Sequence, residues 1–301
     1  MGGRMKGLIK KVSDNPRTEK GIETILLNQG KILSALNRQN IGLKLSDYEW
    51  KVFSQWGEDG IIDFLISEVN IANRTFIEFG VEDFSESNCR YLLMDSDWNG
   101  FVIDGSQKNI DNLKKSHYFW KYDLQAVAAF IDTDNINELL QKSGFERDLG
   151  ILSVDIDGND YHVLSAINCF DPRIIVCEFN PVFGVDRKVT VPYDPGFNRT
   201  QKHHSNLYFG ASINALNALL AEKGYTLIGT AMFGANAFFV KDSLMTPHLT
   251  KLAENPFCFN FNFRESRDVN GNLSLLRSEQ RYQEIKGMSV LNVETGDIEA
   301  L

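Results

Sequence analysis

The feature that most narrows what this chain can fold into is a repeated one: short apolar runs that end in an acid, with helical stretches between them. Arg74-Thr75-Phe76-Ile77-Glu78-Phe79-Gly80 is followed by Asn99-Gly100-Phe101-Val102-Ile103-Asp104, then by Ile151-Leu152-Ser153-Val154-Asp155-Ile156-Asp157-Gly158. Such runs are strands buried on both faces, and helices between them make the sheet parallel. Strands are expected at 75–79, 100–104, 118–122, 150–155, 173–178, 225–230 and 236–240. Helices are expected near 87–95, 106–115, 134–143, 159–167 and 211–223, the last stopping at Gly224. A short segment holding Gly234 separates the final two strands, which is hairpin spacing. The expected fold class is therefore α/β: a doubly wound, Rossmann-like, mostly parallel sheet with an antiparallel edge strand.

Three segments lie outside this rhythm. Ile22, Ile25, Leu26, Ile32, Leu33 and Leu36 recur at helical spacing, interrupted by Gly30. Such a helix packs on its own fold or pairs with a second copy, giving a homo-oligomer; both remain open. Residues 181–209, with Pro181, Pro192, Pro195, Gly196, His203 and His204, read as a long loop that could overhang a site. Residues 250–301 are polar with weak periodicity, and a partly ordered tail is expected there.

Charge and composition exclude several classes. A net charge of −9 argues against nucleic acid as the main partner, despite a mildly basic tract at Arg4, Lys6, Lys10 and Lys11. No apolar run approaches the length of a membrane span, and the N-terminus has no secretory core or myristoylation pattern. Cys89, Cys169, Cys177 and Cys258 have no CxxC spacing and fit reduced thiols, so a cytoplasmic location is expected.

The strand ends carry the chemistry. Gly80 would let the backbone approach a cofactor, with Glu78 ordering the turn or holding an amino group. Glu82 and Ser85 stand where a dinucleotide fold wants glycines. A pyrophosphate would meet Glu78 and Glu82 unfavourably, whereas a cofactor with an amine and a sulfonium would not. That favours S-adenosylmethionine over NAD. Asp104 could hold two ribose hydroxyls or cap the next helix, and Asp123, ending the third strand, could meet the adenine edge. Asp155, Asp157, Asn159 and Asp160 crowd the fourth strand's end, where like charges need a cation, a proton or donors. With Glu178 and Asn180 from the fifth strand, Asp155 could ligate Mg²⁺ or Mn²⁺; alternatively these groups bind substrate hydroxyls or the cofactor's amino group. His203 or His204 could act as general base, and Tyr161 or His162 could face the substrate.

Ser54-Gln55-Trp56-Gly57-Glu58-Asp59-Gly60, Phe76-Ile77-Glu78-Phe79-Gly80, Ser153-Val154-Asp155-Ile156-Asp157-Gly158-Asn159-Asp160-Tyr161 and Glu178-Phe179-Asn180 together resemble the FkbM-type S-adenosylmethionine-dependent methyltransferases. The resemblance covers roughly 50–242, leaving an N-terminal helical extension at 1–49 and a C-terminal extension at 243–301. It implies a class I methyltransferase sheet of seven strands and methyl transfer to an oxygen. The acceptors it implies are sugar or polyketide-derived hydroxyls, including bacterial surface glycans and their nucleotide-linked precursors. Carried over, Glu78 and Gly80 would form the cofactor turn and Asp104 would hold the ribose. Gln55 and Glu58 would lie near the methionine end, and Asp155 would face the reacting centre. Without a metal, His203, His204 or Asp157 would take the hydroxyl proton. Val81-Glu82-Asp83-Phe84-Ser85 departs from the small-residue turn usual in that family. The rival classes are a nicotinamide-dependent oxidoreductase and a non-catalytic nucleoside-binding scaffold.

Overall fold

Thr75–Phe79 forms β1, an interior strand of the main sheet, because every one of its residues is buried. Its side chains alternate as a pleat requires: Phe76 packs into one apolar layer, Ile77 and Phe79 into the other. The computed structural model describes residues 16–232, 235–257 and 265–301. The basic tract, Gly234 and Cys258 lie outside these.

The remaining strands of the main sheet are β2 (Asn99–Asp104), β3 (Leu124–Ala128), β4 (Ile151–Val154), β5 (Ile174–Glu178), β7 (Tyr225–Thr230) and β8 (Asn236–Lys241); Val189–Thr190 is β6. The order is β3-β2-β1-β4-β5-β8-β7. This is the doubly wound sheet expected for a class I methyltransferase fold. All of β1 to β5 in it are parallel, with Ile77 beside Phe101 on one side and Leu152 on the other. The hairpin closes one edge, and its antiparallel member, β8, sits one place in, between β5 and β7. The chain leaves β1 toward β2 on one side and returns to β4 on the other. A crevice therefore opens at the carboxyl ends of β1 and β4.

Among the described residues the helices begin with α1 (Pro16–Asn37), α2 (Glu58–Glu68), α3 (Arg90–Asp95), α4 (Gln107–Lys115), α5 (His117–Lys121), α6 (Ile136–Gln141), α7 (Asp160–Ala166) and α8 (Arg199–Lys202). They are followed by α9 (Ile213–Glu222), α10 (Pro247–Ala253) and α11 (Glu279–Ile285). Leu26, Leu27 and Leu33 of α1 pack against the layer built by Ile61, Ile62 and Leu65 of α2. Val163 and Leu164 of α7 join Leu216 and Leu220 of α9 in the opposite layer. No described helix is long and apolar enough to cross a membrane. Cys89, Cys169 and Cys177 are free thiols.

Two expectations need correction. The run at 118–122 is not the third strand: 117–121 is the short helix α5, whose start is capped by Ser116 Oγ accepting from Phe119 N–H. Trp120, in the middle of that run, is 78% exposed. The strand begins at Leu124, beyond the end of the expected run. Nor is 265–301 a loosely ordered tail. It supplies α11 and the hairpin of β9 (Ser289–Asn292) and β10 (Ile298–Ala300), with β9 pairing to β6 from the Pro-rich loop. Phe183, Val191, Phe197, Leu207 and Phe209 of the loop share a third apolar cluster with Ile285, Val290 and Leu301. Two segments that each looked irregular bury one another.

Candidate functional site

Gly80 follows β1 with φ 67°, and a Cβ there would run into the backbone carbonyl oxygen of Asp155. Its lack of a side chain is thus set by the close approach of the chain leaving β1 to the chain leaving β4, which shapes the crevice. Glu78 lies one pleat below. Its carboxylate accepts from Ser87 Oγ (2.6 Å) and from the N–H groups of Asn88 (2.8 Å) and Cys89 (3.2 Å), ordering the turn into α3. Burial outweighs these donors and pushes its carboxyl from the ordinary 4.5 up to about 7. Because the native state then keeps a proton the unfolded chain has released, Glu78 stabilises below pH 4.5. That contribution is lost as pH rises toward 7. Urea titrations should show wild type losing on the order of 3 kcal/mol more than Glu78→Gln between pH 4.5 and 8. Equal losses would refute the shift.

Asp104 closes β2 and is buried against the cleft. Its Oδ1 accepts from Ser106 N–H (2.7 Å) and Asn109 Nδ2 (3.2 Å), its Oδ2 from Glu82 N–H (2.8 Å). Asp123 lies elsewhere. It precedes β3, its carbonyl accepting from Gly100 N–H at the start of β2, so it sits at the opposite edge of the sheet. The cleft receives Ala129, Phe130 and Ile131 instead, the residues that follow the true β3.

The loop before α2 is tied by two buried acids. Asp59 Oδ2 accepts from the N–H groups of Val52, Phe53 and Ser54 and from Ser54 Oγ. Glu58 Oε2 accepts from Trp56 and Gly57 N–H, and its Oε1 from Asn236 Nδ2 at 3.0 Å. Glu58 is therefore a brace behind the cleft, while Gln55 and Asn236 line it. Burial raises Asp59 to about 6.

Beyond β4 the turn is held by Asp160, whose carboxylate accepts from Ile156 and Gly158 N–H, both at 2.9 Å. Asp157 takes a left-handed conformation (φ 55°) in that turn. One oxygen each from Asp155, Asp157 and Glu178 lies within 4.8 Å of the others. Burial, then the charge of neighbouring acids, drives both Asp155 and Glu178 well above the usual carboxylate range. Two carboxyls so placed do not ionise together.

Asn180 is not part of this cluster. Its Nδ2 donates to the carbonyls of Leu207 and Phe209, and its Oδ1 accepts from Val182 N–H. It anchors the Pro-rich loop. The histidines also point elsewhere: His203 Nδ1 pairs with Ser205 Oγ (2.8 Å) and His204 Nε2 with Glu284 of α11 (2.9 Å). His162 bonds the Val191 carbonyl.

The residue that this loop delivers is Arg199. Asn198 caps the single turn α8, its side chain accepting from Gln201 N–H, and the turn opens with Arg199, which lines the cleft. Its Nε donates to the Asn206 carbonyl (2.7 Å), its Nη1 to Asp157, and its guanidinium lies 3.7 Å over the Phe209 ring. The capping motif Asn198-Arg199-Thr200-Gln201 was the signal in the sequence. The completed cleft is about 680 Å³, walled also by Asn159, Phe197, Thr200 and Asn206.

No family model matches the chain, and no curated protein does. Solved structures it is similar to include the N-terminal domain of EvdMO1 with SAH bound, at 9% identity over 62% of this chain and 80% of that one, TM-score 0.38. A second is an S-adenosylmethionine-dependent methyltransferase from Clostridium acetobutylicum ATCC 824 (9% identity, 71% and 98% covered, TM-score 0.38). A third is the CurJ carbon methyltransferase (12%, 79% and 70%, TM-score 0.39). At these identities and scores the likeness bears on neither activity nor acceptor, which rest on the cleft itself.

Proposed function

We propose that this chain is an S-adenosylmethionine-dependent O-methyltransferase whose acceptor is a sugar hydroxyl of a surface glycan. The observation that carries this reading is the sign of the cleft. Eight acidic side chains line it; burial favours the neutral form of Glu78, Asp155 and Glu178, but the others still outnumber the one cation among the described lining residues, Arg199, which is already paired with Asp157. A dinucleotide would press its pyrophosphate against that wall; a sulfonium is attracted to it. The same repulsion favours a glycan hydroxyl over a nucleotide-linked precursor.

Asp104 Oδ2, with one donor from the chain, keeps capacity for ribose hydroxyls, and Ala129 to Ile131 offer an apolar bed for the base. Gln55 and Glu78 lie toward the methionine end. When bound, S-adenosylmethionine supplies an electrophilic methyl group. The chain's share is to align the acceptor and take its proton. With the histidines turned away, that proton acceptor is the ionised member of the Asp155–Glu178 pair. Asn159, Thr200, Asn206 and the Phe197 ring suit a sugar's hydroxyls and its apolar face. The all-oxygen set Asp155, Asp157 and Glu178 also fits Mg²⁺ or Mn²⁺, and the buried Glu178 Oε2 has no hydrogen-bond partner. Such an ion would acidify the acceptor hydroxyl.

Calorimetry tests the reading. S-adenosylmethionine should bind and NAD should not, and Asp104→Ala should weaken binding about 10- to 100-fold through lost charge-assisted hydrogen bonds. NAD binding tighter than S-adenosylmethionine would sink it.

A further inference from the structure

The outward face of α1 carries a pattern that the fold does not use. Ile22, Ile25, Gln29, Ile32 and Leu36 are spaced by three, four, three and four residues, the a and d repeat of a coiled-coil seam. Its four aliphatic members are 51, 66, 62 and 58% exposed. What holds α1 to its own domain is the other face. Leu26, Leu27 and Leu33 pack on the core, Glu23 and Ser34 are buried, and Gly30 lies where a Cβ would strike the Tyr91 ring. Beside the seam, the exposed Gly21, Asn28 and Ala35 are small or neutral. The whole stripe is uncharged on a chain whose net charge is −9.

We propose that this face pairs antiparallel with the same face of a second copy of the chain, about a two-fold axis at Gln29. Heptad spacing selects another α-helix as the occupant, because only a helix returns side chains to the seam at that interval. A two-fold contact must be self-complementary, and the row Ile, Ile, Gln, Ile, Leu is nearly the same read in reverse. For two copies of like net charge, a stripe free of charge is a surface along which they can meet without local repulsion, and this is one. The apolar surface is also there to be covered: all four aliphatic seam residues are more than half exposed, and Ile41 and Leu43 just beyond α1 are 83 and 71% exposed. Two heptads would be marginal as a free peptide, but α1 is already ordered by its inner face, so pairing does not have to form it. Gln29 at the centre sets the register, as single polar seam residues do. This proposal is independent of the methyltransferase reading.

Sedimentation of the full chain tests it. Wild type should be a dimer at low micromolar concentration, and Ile25→Glu/Ile32→Glu should be a monomer with unchanged circular dichroism, its dissociation constant raised at least 100-fold. In the native protein under mild oxidation, Gln29→Cys should cross-link two chains and Ile22→Cys should not, since antiparallel pairing places residue 22 near residue 36 of the other copy. A wild-type monomer at 100 µM would overturn the proposal. So would a dimer insensitive to the glutamates, or cross-linking by Ile22→Cys as efficient as by Gln29→Cys.

Discussion

Asp155→Asn should reduce methyl transfer by two to four orders of magnitude while leaving S-adenosylmethionine affinity within a few-fold of wild type. The size follows from removing a positioned proton acceptor, which contributes about 10²- to 10⁴-fold in general base catalysis. The split follows from geometry. Asp155 stands at the end of β4 beside Asp157 and Glu178, whereas the groups assigned to the cofactor stand at the ends of β1 and β2. Asparagine keeps the shape and removes the charge. It also removes one of the acids that, after burial, raise Glu178, so the fold should be no less stable. Transfer of a labelled methyl group to a panel of glycans, run alongside calorimetry, separates the two effects. Turnover near wild type would remove Asp155 from the mechanism, and lost binding would place it in the cofactor site.

Gly80→Ala should be the most damaging substitution in the sheet, and Gly144→Ala is its control. Both glycines have nearly the same left-handed backbone, φ 67° and 69°. Nothing lies within 4 Å of a Cβ at Gly144, so alanine there meets only the conformational penalty, about 1 kcal/mol. At Gly80 the added carbon meets the Asp155 carbonyl, and β1 and β4 would have to separate. A core displacement of that kind costs on the order of 3 kcal/mol or more, lowering Tm by roughly 6 °C or beyond. Thermal unfolding of both variants measures the contrast. Equal destabilisation would show that the contact with Asp155 does not matter.

The acids at the ends of β1, β2, β4 and β5 are legible in the sequence because a buried strand announces itself locally. Its apolar run has a length, and the first polar residue after it marks the sheet's edge. The third strand escaped for a local reason too. Tyr118, Phe119 and Trp120 are as apolar as a strand, and only the Ser116 cap betrays a helix. Asp123 was then placed at the wrong end of the sheet, a consequence of a shift of only a few residues.

Side-chain roles outside the strands depended on partners far along the chain. Asn180 and Glu178 are two residues apart and look equally suited to a cation. Yet Asn180 is consumed by carbonyls at 207 and 209, while Glu178 lies beside Asp155 at the end of the neighbouring strand. His204 is claimed by Glu284, 80 residues away, and the same turn sends Arg199 into the cleft. By itself the sequence determined the layered sheet, its crevice and the acids along the rim, since strand burial and strand ends are properties of neighbouring residues. Only the tertiary structure decided which of those acids stay unpartnered, which cation joins them, and that the Pro-rich loop and the C-terminal hairpin close over one core. Those outcomes are set by contacts between segments whose sequence separation carries no signal of their meeting.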